Sequence, residues 1–87
     1  MTQRETDIVR ALLDTLDKLD GTPVPEAVLH AAMFGKTLPP PTLSEFERAL
    51  RQCDTKGWLI GLPSKVTDRN HWTMSDKGSA ALIQLSR

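Results

Sequence analysis

Three side chains able to make planar, two-point hydrogen bonds, Arg48, Arg51 and Gln52, stand within one short segment of the chain. Arginine presents a fork of donors that fits a phosphate or a guanine edge, and glutamine presents a donor beside an acceptor. Glu45 and Glu47 lie just before them, where carboxylates repel an incoming phosphate but suit the positive end of a helix. Further on, the polar run Ser64-Lys65-Val66-Thr67-Asp68-Arg69-Asn70-His71 carries Lys65, Arg69 and His71. Little else is reactive. The single cysteine, Cys53, excludes an internal disulfide and a cysteine-rich zinc cluster. It sits at an apolar position, where a buried, unreactive thiol is the expectation. His30 and His71 share no close spacing with each other or with Cys53, so no metal site is expected. No nucleophile elbow, repeated carboxylate pair or phosphate-cradling glycine loop is present. The expectation is therefore a protein that is not an enzyme and uses no cofactor.

These residues need elements to position them. Ile8, Leu12, Leu16 and Leu19, widened by Val9 and Leu13, predict an amphipathic helix over Thr2 to Leu19, with Thr2 and Glu5 as a capping box and a stop at Asp20-Gly21. Thr22-Pro23-Val24-Pro25 predicts a short extended piece, with Pro25 opening a brief second helix through Met33. Leu38-Pro39-Pro40-Pro41 forces an extended connection, read as a spacer rather than as a ligand for a proline-binding partner. Leu43, Phe46, Leu50 and Cys53 then define the core face of a third helix ending at Lys56-Gly57, with Thr42/Glu45 and Ser44/Glu47 both offering caps. Trp58 to Leu62 and His71 to Met74 predict a hairpin with a polar tip, and Ser75 to Leu85 a closing helix. The fold class is α+β, mostly α, in the order helix, short strand, helix, helix, β hairpin, helix. All of residues 1–87 form one domain.

Eleven basic and eleven acidic residues cancel, which disfavours a free-standing nucleic-acid binder. The balance is uneven, however. Residues 1–40 hold four Lys/Arg against six Asp/Glu, and residues 41–87 hold seven against five. The polar N-terminus and the lack of an apolar run near 20 residues exclude a signal peptide and a membrane span, so a soluble, cytoplasmic protein with no membrane partner is expected.

Two stretches carry a resemblance. Phe46 to Ile60, in which a helix meets a turn glycine and then a strand, resembles the recognition helix and first wing strand of the winged helix-turn-helix family of small bacterial and phage-type regulators. Trp72 to Leu82 is similar to that family's second wing strand and the start of its last helix. The resemblance implies a DNA-binding transcriptional regulator whose third helix enters the major groove of double-stranded DNA. It places Ser44, Arg48, Arg51, Gln52 and Thr55 toward bases and phosphates, and Lys65 and Arg69 on the wing against the backbone. The alternative is a winged-helix module that contacts protein instead, with the same face merely solvated and the tip a solubilising loop. Any part of the first helix's broad apolar stripe that is not covered in the core would offer a surface for a second copy, making a homodimer a further expectation.

Overall fold

The computed structural model describes residues 2–63 and 70–86. Its first helix, α1 (Gln3–Lys18), is capped by the Thr2 hydroxyl, which accepts from the Glu5 amide at 3.1 Å. Only that half of the expected reciprocal cap forms, and the Glu5 carboxylate turns instead toward Gln52. The chain reverses after Leu19 through Asp20 and Gly21, both with positive φ, 48° and 82°. Glycine adopts that conformation at no cost and aspartate tolerates it. A two-residue strand, β1 (Val24–Pro25), leads directly into α2 (Glu26–Ala32), with Pro25 as the residue before the helix rather than its first turn.

After the proline connection, α3 (Leu43–Thr55) opens on a complete capping box. The Thr42 hydroxyl accepts from the Glu45 amide, and the Glu45 carboxylate accepts from the Thr42 amide at 3.0 Å. Gly57, at φ 75°, turns the end of α3 into the hairpin of β2 (Leu59–Leu62) and β3 (His71–Met74). Ser75 then caps α4 (Asp76–Leu85), its hydroxyl accepting from the Gly78 amide. The three strands form one antiparallel sheet in the order β1-β3-β2, with Val24 opposite Trp72 and Ile60 opposite Thr73.

The core sits where α1 crosses α3, α4 and the inner face of the sheet. Ile8, Val9, Leu12, Leu13 and Leu16 are all buried, against Leu29, Met33, Phe46, Leu50, Cys53, Leu59 and Trp72. Each large side chain buried this fully contributes about 1.5–3 kcal/mol. This packing covers the stripe of α1 from Ile8 to Leu16, while Leu19 at its end is 39% exposed. On α3 the buried positions are Phe46, Ala49, Leu50 and Cys53, whereas Leu43 is 57% exposed. The spacing of Leu43 with Phe46, Leu50 and Cys53 predicts it on the core face. It lies in the first turn, beyond the end of the core, and that end is filled by His30 stacked on Phe46 at 4.8 Å.

The two tryptophans have different environments. Trp72 is buried and donates from Nε1 to Glu26 Oε1 at 3.1 Å. Trp58 lies half-buried beside α4, with the Lys56 ammonium 4.9 Å from its ring centroid. Between them Gly78 brings α4 against the hairpin, because a Cβ there would collide with the Trp58 carbonyl oxygen. The chain is thus α+β and mostly helical, in the order helix, short strand, helix, helix, hairpin, helix. That order is compatible with a winged helix-turn-helix. Among the described residues, no helix is long and apolar enough to cross a membrane.

Candidate functional site

The spacing of α3 decides which of its side chains can act together. At 3.6 residues per turn, positions 44, 48, 51 and 55 fall on one line along the helix. Ser44, Arg48, Arg51 and Thr55 are all exposed there, opposite the buried line of Phe46, Ala49, Leu50 and Cys53. Among the described residues neither the Arg48 nor the Arg51 guanidinium is engaged in an ion pair. The structure therefore brings together four of the five expected α3 residues.

Gln52 is the exception. It sits one position off that line, half-buried, in a cleft of about 130 Å³ between α1 and α3 that Arg4, Glu5, Ile8 and Arg48 also line. Its Nε2 faces Glu5 Oε2 at 3.5 Å, and its Oε1 is buried without a hydrogen-bond partner among the described residues. Its placement follows from helix geometry, since residue 52 lies about 80° around the helix from residue 44, on the side where α1 packs. Lys65 and Arg69, the expected wing contacts, lie outside the described residues.

Glu45 is accounted for within the fold. Arg4, on α1, grips its carboxylate with both Nε (3.0 Å) and Nη2 (3.1 Å), while Nη1 donates to the Pro39 carbonyl at 2.8 Å. The Arg4 hydrogen bonds, helped by the Thr42 amide, hold Glu45 down at about 2. One charge-assisted cluster therefore ties the start of α1, the proline connection and the cap of α3 together, and it neutralises one of the two carboxylates at this end. Sequence reasoning missed Arg4 because its partner is 41 residues away and no local pattern links them.

The flank of α3 nearer the hairpin is a cleft of about 420 Å³, lined by Glu47, Arg51, Asp54, Asn70 and Trp72 among others. Asn70 and Trp72 come from the hairpin, so Arg51 stands where helix and hairpin meet. Glu47 is engaged in an interaction of its own. His30 is a packing residue. Its Nε2 lies 2.9 Å from the Pro41 carbonyl, and its ring sits between Phe34 and Phe46. Burial pushes the Cys53 thiol up to about 12, the reverse of what a nucleophile needs. Among the described residues no group of three His, Cys, Asp or Glu side chains is arranged to hold a metal ion.

No known protein family, curated protein or solved structure matches the chain. The functional reading rests on the arrangement of its own residues.

Proposed function

We propose that this chain is a winged helix-turn-helix domain that binds double-stranded DNA through α3 and acts as a cytoplasmic transcriptional regulator. One observation carries the reading. Arg48 and Arg51 stand exposed and, among the described residues, without ion-pair partners on the α3 line opposite the core, while Arg4 neutralises Glu45 at the end of the same helix. An exposed guanidinium that the fold does not use for stability is available to phosphate and to base edges. The cleft that Arg51 shares with Asn70 and Trp72 of the hairpin supports it. Net neutrality weighs less once the charge is located, since acidic residues outnumber basic ones in residues 1–40 and the reverse holds in residues 41–87. In this arrangement Ser44 and Thr55 reach phosphates at the two ends of the line.

The test is a titration against duplex DNA at several salt concentrations. Affinity should fall steeply with salt, because bound phosphates release counterions. Arg48→Glu and Arg51→Glu should each weaken binding at least tenfold. Unchanged affinity in both variants, or no binding at low salt, refutes the proposal.

A second reading has an observation of its own. Val28 on α2, Phe34 just after it, Leu38 in the proline connection and Leu43 at the start of α3 are between 49% and 89% exposed. An apolar surface of this kind suits a protein partner. It applies if duplex DNA is not bound.

A further inference from the structure

We infer that α3 reads guanine, with Arg48 and Arg51 meeting two guanines one or two base pairs apart, and that this helix carries no adenine reader. The inference rests on the DNA-binding reading above and names the class of duplex that this site takes.

Two observations combine to give it. First, the side chains that distinguish base pairs in the major groove are few: arginine matches the O6 and N7 acceptors of guanine, whereas asparagine or glutamine matches the N6 donor and N7 acceptor of adenine. The outward line of α3 carries Ser44, Arg48, Arg51 and Thr55, and no amide. The one amide on the helix, Gln52, is turned into the α1 cleft. Its Nε2 faces Glu5, and its Oε1 is buried, so neither atom of the required pair is presented outward. Second, the spacing of the two arginines fits the duplex. Three residues advance a helix about 4.5 Å, against about 3.4 Å per base-pair step. Two long, parallel side chains at that offset reach neighbouring or alternate base pairs. Asp54, exposed on the flank next to Arg51, adds a carboxylate that accepts from a cytosine amino group, so the neighbouring chemistry also points to G·C pairs. Sequence alone placed Gln52 beside the arginines as an equal reader, and the packing of α1 removes it.

The experiment is selection from a pool of randomised duplexes with the full chain at low salt, followed by titration of the selected site. Guanines one or two base pairs apart should be enriched. Replacing either one with 7-deazaguanine, which removes the N7 acceptor and leaves base pairing intact, should weaken binding about 5- to 10-fold. Arg48→Lys and Arg51→Lys should each relax the preference at one guanine, and Gln52→Ala should leave the preference as it was. Duplex binding with an A·T site selected, with no base preferred, or with a preference that Gln52→Ala abolishes overturns the inference while leaving DNA binding intact. Absence of binding to every duplex refutes the DNA-binding reading itself, and the inference with it.

Discussion

Gly78→Ala is the sharpest test of how the hairpin is held against the helices. Taken alone, replacing a helical glycine with alanine stabilises by about 1 kcal/mol. Here the added Cβ collides with the Trp58 carbonyl oxygen and comes within 2.6 Å of Met74 Cγ. The methionine can swing aside, but the carbonyl cannot. It accepts from the Ser75 amide at 3.0 Å, the Trp58 amide donates to the Cys53 carbonyl at 2.9 Å, and the Ser75 hydroxyl donates to the Gly57 carbonyl at 2.6 Å. Relieving the clash means lifting α4 from the hairpin or breaking that set of bonds. Overpacking against a fixed backbone costs about 3 kcal/mol, which outweighs the propensity gain and leaves a net loss of about 2 kcal/mol. For a domain of this size that lowers the melting midpoint by about 8–16 °C, measurable by circular dichroism. Gly35→Ala is the control, since nothing lies within 4 Å of its Cβ, and it should melt within a degree or two of the parent. A Gly78→Ala protein that melts at or above the parent temperature would show that α4 does not seat on Trp58 and refute the packing argument.

Three other outcomes follow from the geometry. Glu45 is held at about 2, below its unfolded value, so the Arg4–Glu45 cluster contributes its full stability above about pH 4.3 and loses it as pH falls toward 2. Melts between pH 7 and 2 should show this loss, and Arg4→Gln should flatten it while lowering the midpoint at neutral pH. Cys53 should fail to react with a thiol reagent at pH 8 in the folded protein and react fully in denaturant, and rapid labelling of the native chain would contradict its burial. Trp72→Phe removes the bond to Glu26 and should cost about 1–2 kcal/mol in urea unfolding, with a loss below about 0.5 kcal/mol assigning that bond no weight.

The parts of the fold that depend on spacing within one element were legible in the sequence. The caps at Thr2, Thr42 and Ser75 and the turn at Gly57 all follow from residues within a few positions of one another. What was not legible depends on which elements meet. Leu43 has the right spacing for the core face of α3 but lies past the point where the core ends. Gln52 and Arg48 look equivalent along the chain, and only the packing of α1 against one flank of α3 separates them. Glu45 reads as a surface charge until Arg4 is placed beside it. Along α3 the exposed line holds Ser44, Arg48, Arg51 and Thr55 but not Gln52, and the surroundings of these side chains are set by neighbours that no local pattern reveals.

The strand order leaves β2 at one edge of the sheet, with Ile60 and Leu62 exposed at 46% and 40%. An uncovered apolar edge is a template on which another chain can add a strand, and thus a starting point for aggregation. This edge is only four residues long and is followed by Pro63, which has no amide hydrogen to extend a ladder. Brevity and proline act as gatekeepers here. Changes that lengthen β2 or replace Pro63 should reduce solubility at high protein concentration before they alter the folded domain.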